Sequence, residues 1–342
     1  MAIHDKQSKK RVAVLYGGKN TEYDVSVNSA RNVINNIDSE LFDIVEIKIN
    51  HDTNVQEIAQ KLEGIDVAFP VFHGVFGEDG CIQGLLEVAN IPYVGSGVLS
   101  SAVCMDKCVA KQLVQAAGIL VAPFFSVKPF EWPARKNDFL KMIDEKMSYP
   151  VFVKSVNSGS SVGISKVKKP EELDAALAFS FQYDNKVIIE KGINAREIEI
   201  SVLENQQYGE PPLVSLPGEI VPKNEFFDYD SKYHDPNGAE FILPVELPAQ
   251  QLQELQILSR SVFDILGCES MGRVDFFLDK DSGQWYFNEL NTIPGFTSMS
   301  VYPKLWEVSG LAYPQLISHL LELAMARHQR HMNIQRKVSK AI

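Results

Sequence analysis

The stretch GRVDFFLDKDSGQWYFNELN, residues 272 to 291, limits what this chain can fold into more than any other. Two hydrophobic runs flank the turn-forming triplet Asp281-Ser282-Gly283, which predicts an antiparallel hairpin. Folded about Ser282, the ribbon sets Asp275 opposite Glu289 and Arg273 opposite Asn291. All four carry odd numbers, so they share one face if no bulge intervenes. Opposed carboxylates repel unless a cation sits between them. Oxygen donors of this kind suit magnesium, which usually binds substrate phosphates as well. The alternative is a solvated sheet face with incidental charges, partly backed by Phe276, Leu278, Trp285 and Phe287.

A metal reading calls for an anionic ligand. In KSVNSGSSVGISKV, residues 154 to 167, Lys154 closes the strand-like run VFV and a Ser/Gly loop follows. Two readings stand: a surface turn, or a lid with donors for an anion. Gly159 and Gly163 permit close backbone approach, and Ser160 and Ser161 add hydroxyls. Lys107 and Lys232 stand near the ends of short elements, and each alone reads as a surface residue. No GxxxxGK[ST] pattern is present, and YGGKN does not complete GxGxxG, so neither a P-loop nor a dinucleotide fingerprint is indicated.

Along the chain, strands at residues 11–16, 42–49 and 67–72 alternate with helices at 25–37 and 55–62, which predicts βαβ units and a mostly parallel sheet ending near residue 95. A helix over 101–117 stops at Gly118. VFVK, GISKVKK and VIIEK are expected strands, and a helix begins at Pro170. EIEISVLE alternates as an antiparallel strand. Residues 217 to 240 hold three prolines and many turn formers, and read as a functional loop or disorder. Helices over 248–266 and 313–328 flank the hairpin. The expected domains are 1–95, 96–194 and 195–342.

At 342 residues with 45% hydrophobic content, the chain can bury substantial cores. Its net charge of -11 should repel nucleic acid, although local lysines and a metal can still attract a nucleotide. No apolar run approaches a membrane span, and the polar start MAIHDKQSKK has no signal-like core. Four cysteines imply no disulfide framework, and a cytoplasmic location is expected. His73 follows the strand VAFPVF, where α/β sheets place ligands; a turn histidine is the alternative.

These pieces, in order, resemble the D-alanine–D-alanine ligase family of the ATP-grasp superfamily. The resemblance runs from about Arg11 to Leu323. It rests on GGKNTEYDVS, HGVFGEDG, MDK at 105–107, VKSVNSGSSVG, YDSKY, GRVDF and NELNTIPGFTSMS. It implies a parallel α/β N-terminal domain followed by a two-part ATP-grasp fold, with ATP between two antiparallel sheets. The implied nucleotide residues are Lys107, Lys154, Ser160, Ser161, Glu190, Lys191, Gly192, Ile193, Glu197, Lys232, Asn288 and Glu289. Asp275, Glu289 and Asn291 match magnesium (or manganese) ligands, for two ions. Glu22 matches the anchor of the first D-alanine amine, with His73 nearby. Arg273 and the Gly295 backbone match the oxyanion donors, and Ser298 and Ser300 lie in the second-substrate motif. Ser160 and Tyr233 match partners of Glu22 in a set that draws the lids closed. A homodimer and activation by K+ are implied as well.

The implied reaction joins two D-alanines at the expense of ATP, for peptidoglycan precursors. Tyrosine in the Lys232-Tyr233 element goes with D-alanine as acceptor; D-lactate and D-serine are alternatives. Another carboxylate–amine ligase, or a regulatory ATP-binding protein, is the more distant reading. The chain departs from the family pattern near Asn20, where a serine is common and Thr21 carries the hydroxyl instead, at Tyr23, where a histidine or another basic residue is common, and in the HDPNGAE continuation of the loop.

Overall fold

The computed structural model describes residues 9–20, 22–159, 162–223 and 238–334. The chain begins with β1 (Lys10–Gly17), α1 (Tyr23–Asn36), β2 (Phe42–Ile49), α2 (Val55–Lys61), β3 (Val67–Val71) and α3 (Cys81–Val88). The three strands form a parallel sheet in the order β2-β1-β3. Val12 and Val14 pack on one face and Ala13 and Leu15 on the other. A parallel sheet covered on both faces explains why RVAVLY is apolar without alternation.

Next come α4 (Val98–Met105), α5 (Lys107–Ala116), β4 (Phe124–Val127), α6 (Glu131–Lys146), β5 (Val151–Ser155), β6 (Ser165–Val167), α7 (Leu173–Ser180) and β7 (Val187–Lys191). β4-β7-β5-β6 is an antiparallel sheet, backed by the apolar faces of α6 and α7. The last part holds β8 (Ala195–Leu203), β9 (Leu213–Val214), β10 (Gly218–Pro222), β11 (Ala239–Ile242), α8 (Ala249–Ile265), β12 (Met271–Asp279), β13 (Trp285–Asn291), α9 (Val301–Val308) and α10 (Tyr313–Met332). Here the sheet order is β11-β10-β8-β12-β13, with β9 also on β8. Residues 192–194 carry the chain from one antiparallel sheet to the other.

Three local expectations change. The helix expected over 101–117 is two helices, because Asp106 is extended (φ -82, ψ 96) and its carboxylate accepts from the Cys108 and Val109 N–H groups at 3.0 Å. That is an N-cap, which starts a helix afresh. The helix expected from Pro170 opens as a 3-10 turn, Pro170–Glu172, before α7. The ends of the stretch 217–240 are β10 and β11, which pair with each other; its centre lies outside the described residues.

Packing crosses the expected boundaries. Ala110, Val114, Ile119 and Val121 join the core of the last sheet with Ile200, Val274 and Phe287. The terminal helix α10 returns to the first sheet, where Leu316 and Leu320 join Val12, Phe69 and Val33. Buried Arg327 fixes this return: its guanidinium donates to the carbonyls of Gly95 and Tyr93 and lies 3.3 Å from Glu269. Among the described residues no helix is long and apolar enough to cross a membrane.

Candidate active site

The β12–β13 ribbon pairs Arg273 with Asn291 and Asp275 with Glu289, the register expected from the turn. A bulge follows between Asp275 and Phe276, after which Phe276 faces Phe287. The irregularity lies on the turn side of the four polar residues, so their pairing survives. It also explains the ribbon's other face. Val274, Phe276 and Leu278 are even-numbered, as is Leu290, but the shift brings odd-numbered Phe287 and Trp285 to the same apolar side. The incidental-charge reading loses ground, since a complete hydrophobic back holds the polar residues forward.

Those polar residues interlock. The Arg273 guanidinium binds Asp275 through two oxygens, Nε to Oδ1 at 2.8 Å and Nη2 to Oδ2 at 2.7 Å. It also lies 3.2 Å from Glu199, which β8 sets opposite Asp275. Burial opposes the guanidinium charge, yet Asp275 and Glu199 outweigh it and drive the Arg273 pKa above its usual range. Asn291 donates to Asp275 at 3.1 Å, and Lys107 lies 3.4 Å from Glu289. Sequence reasoning missed Glu199, which only the β8–β12 register brings to the ribbon.

The ribbon forms one wall of a cleft of about 790 Å³. Glu22, His73, Lys107, Arg273, Glu289 and Asn291 line it, as do Gly295, Ser298 and Ser300. Glu22 stands at the N-terminus of α1, buried, where Gly74 and Gly159 leave it room. A Cβ on Gly74 would meet its carboxylate at 2.5 Å, and one on Gly159 at 2.9 Å. The Ser/Gly segment therefore reaches the residue expected to anchor a substrate amine. Lys107 reaches the same segment, donating to the Ser158 carbonyl at 2.8 Å. Ser160, Ser161, Lys232 and Tyr233 lie outside the described residues.

His73 is buried, with Nδ1 3.4 Å from Glu78 and Nε2 3.3 Å from the Ser29 hydroxyl. Burial opposes its charge, but the Glu78 carboxylate prevails and raises its pKa. Ser29 in turn accepts from the Phe296 N–H at 3.2 Å, which couples the first sheet to the Gly295 loop. In that loop the Ser300 hydroxyl accepts from the Thr297 N–H at 2.9 Å, and a Cβ on Gly295 would strike it at 2.6 Å. The unusual Tyr23 does not line the cleft. Its hydroxyl lies 3.1 Å from Asn50 and Lys48 sits over its ring, on the side of α1 facing β2.

Outside the lining of this cleft, Lys154 near the end of β5 lies 2.7 Å from Glu190 Oε2, and Lys111 on α5 lies 2.6 Å from Oε1. Burial resists ionisation of Glu190, but the two ammonium groups win and bring its pKa down to about 2. Lys154 also lies near the ring of Phe277, and Glu197 is the β8 partner of that residue, so this lysine spans both antiparallel sheets. Lys191, Gly192 and Ile193 lead from β7 toward β8. A Cβ on Gly192 would meet the Pro150 carbonyl at 2.8 Å, so the strand end needs glycine there. Asn288 sits between Phe287 and Glu289, beside the bulge. Among the described residues no three His, Cys, Asp or Glu side chains converge on a common metal position. The expected ligand set has two carboxylates and an amide, oxygen donors suited to a hard cation.

Comparison with known proteins agrees with this arrangement. The family model for the D-ala D-ala ligase N-terminus matches residues 11–61 and 51–96, and that for the D-ala D-ala ligase C-terminus matches residues 113–322. A D-alanine–D-alanine ligase of Caldicellulosiruptor bescii is 44% identical, over 96% of this chain and 98% of that protein. The solved D-alanine-D-alanine ligase of Coxiella burnetii is 34% identical with a TM-score of 0.81, covering 95% of this chain and 96% of that one. The VanG D-Ala:D-Ser ligase of Enterococcus faecalis is 35% identical with a TM-score of 0.80, covering 93% and 100%. With family models matching both halves and relatives aligned over nearly its whole length, the chain belongs to the D-alanine–D-alanine ligase family of the ATP-grasp superfamily.

Proposed function

We infer that this protein is an ATP-dependent ligase that joins two D-alanines into D-alanyl-D-alanine for peptidoglycan synthesis. The observation that carries the reading is the cleft itself. One wall presents Arg273, Glu289 and Asn291; the other sides present Lys107, buried Glu22 and the Gly295–Ser300 loop. A reaction between a carboxylate and a triphosphate brings anions together, so cations must surround it. Lys107 and Lys154 would take phosphate oxygens, with Lys232 and the Ser160-Ser161 hydroxyls as further contacts. Residues 190–193 and Glu197 offer the adenine and ribose contacts.

Asp275, Glu289 and Asn291, with Asn288 beside them, would hold magnesium or manganese; once bound, the ions neutralise the triphosphate and polarise its γ-phosphoryl group. Asp275 would offer the metal the same carboxylate that holds Arg273. Glu22 receives the first D-alanine's ammonium, and His73 packs behind it. The D-alanine carboxylate oxygen attacks the γ-phosphorus, ADP leaves, and a D-alanyl phosphate results. The amine of a second D-alanine, its carboxylate at Ser298 and Ser300, then attacks the carbonyl carbon. Arg273 and the Gly295 N–H receive the developing oxyanion, and preorganised donors of this kind contribute about 3 kcal/mol each. The carbon–oxygen bond breaks, and the departing phosphate carries off its electron pair and takes the proton that the amine gives up. Ser160 and Tyr233 close the lids with Glu22, because an acyl phosphate must be kept from water. The working unit is a homodimer in the cytoplasm, activated by K+, with domains at 1–95, 96–194 and 195–342.

Two acceptors are in play, since the chain is similar both to D-alanine ligases and to a D-Ala:D-Ser ligase. One hydroxyl discriminates weakly in an apolar pocket, so D-serine is the second reading. Phosphate release from ATP with D-alanine alone, then with added L-alanine, D-lactate or D-serine, separates them. D-alanine alone should suffice, and the product should have the mass of the alanine dipeptide. Release in the absence of D-alanine would overturn the assignment.

A further inference from the structure

Lys111 has no part in the reaction just described, and it cannot touch a ligand: its side chain is 1% exposed. A lysine is almost never enclosed this completely unless something holds its charge. Here Glu190 does, at 2.6 Å, and the Phe287 carbonyl accepts from the same ammonium at 3.3 Å. Glu190 is thus gripped from two sides, by Lys111 on α5 and Lys154 on β5. The two grips differ. Lys154 is 12% exposed, lies against the Phe277 ring of the other sheet, and has Glu289 and Glu197 near enough to favour its charge. Lys111 is sealed beneath β13.

We propose that Lys111 is a positioning residue, the fixed counter-charge of Glu190 that lets Lys154 trade that carboxylate for the phosphates of ATP. The exchange rests on the ligase reading above. When Lys154 leaves, a buried carboxylate would lose its only cation if Lys111 were absent, and it would either take up a proton or refuse to release Lys154. With Lys111 in place it does neither. The groups around Glu190 fit this division. β5 contributes Lys154 and α5 contributes Lys111; Cys108 on α5 is buried and its thiol is raised to about 12, so it brings no charge near neutrality. β4 contributes only the apolar Phe124 opposite Glu190. Glu289 and Glu197 favour the charged form of Lys154, and Glu289 that of Lys111 as well.

The test is calorimetry of magnesium ATP binding, without D-alanine, in two buffers of different ionisation enthalpy, which counts protons taken up per nucleotide. Lys111→Met should bind ATP roughly tenfold or more weakly. It should take up as much as one proton more than the unchanged protein, so that its affinity falls as pH rises. Lys111→Arg should restore the parent's proton count. Lys154→Met should also bind weakly, but with no added proton, because Lys111 still holds Glu190. A merely structural role for Lys111 lowers the melting temperature without this asymmetry. Equal proton counts in Lys111→Met and the parent would overturn the proposal, as would proton uptake in Lys154→Met. Should Lys111→Met not fold, Lys154→Met decides alone: no added proton supports the fixed counter-charge, and an added proton refutes it. Failure of the unchanged protein to bind ATP would instead overturn the functional reading, and the exchange with it.

Discussion

Glu190 shows how one buried side chain ties stability to pH. Its carboxyl is depressed from the usual 4.5 to about 2 because two ammonium groups outweigh its burial. A depressed acid contributes stability that is whole above its unfolded value and is lost as pH falls toward the folded one. The protein should therefore lose on the order of 3 kcal/mol between about pH 4.5 and pH 2 from this residue. Chemical denaturation at a series of pH values should show a shallower acid slope for Glu190→Gln; an equal slope would refute the pairing. Asp275 makes a different prediction. It holds Arg273 through two oxygens and faces Glu289. Asp275→Asn removes one charge from the expected metal site, so the magnesium needed for half-maximal activity should rise about tenfold or more. An unchanged magnesium titration would contradict the metal role. Neither Lys111 nor Glu199 was legible in the sequence. A lysine in an amphipathic stretch reads as solvated, and a glutamate in an alternating strand reads the same until a neighbouring strand is placed beside it.

Elements position these side chains through their ends and irregularities. The hairpin was legible because a clear turn and two apolar runs set its register. The bulge was not, since no single residue announces it, and its effect appears only as Phe287 and Trp285 joining the even-numbered face. The break between α4 and α5 was hidden for a related reason: the apolar pattern continues across Asp106, and only its extended backbone reveals the cap. Asp106 also pairs with Lys186 at 2.8 Å, and Lys107 is the next residue. Asp106→Ala should cost about 1–2 kcal/mol of stability from the lost cap. By letting the first turn of α5 shift, it should weaken ATP binding while leaving the response to D-alanine concentration nearly unchanged. Thermal melts and separate titrations of the two substrates check both parts. β10 and β11 escaped notice because prolines and turn formers dominate the stretch between them, and short edge strands carry little pattern of their own.

On the scale of the molecule, the parallel first sheet and the later antiparallel ribbon could be read locally, but what joins them could not. α10 packs beside β3 although its sequence lies more than two hundred residues away, and Arg327 ties it to the carbonyls of Tyr93 and Gly95. The cleft exists because of such returns: Glu22 comes from the start of α1 and His73 from the loop after β3, Lys107 from α5, and Arg273 and Glu289 from the last sheet. The sequence order of these residues gives no distance between them; the assembled sheets do. On the proposed function, a carboxylate bound near Glu22 would meet a phosphoryl group held by Lys107 and the ribbon.

D-alanine carrying oxygen-18 in its carboxylate tests that meeting directly. Incubated with ATP and magnesium, the protein should release inorganic phosphate bearing one oxygen-18 for every dipeptide made. Phosphate free of the label, or dipeptide formed without phosphate, would contradict attack of the carboxylate on ATP.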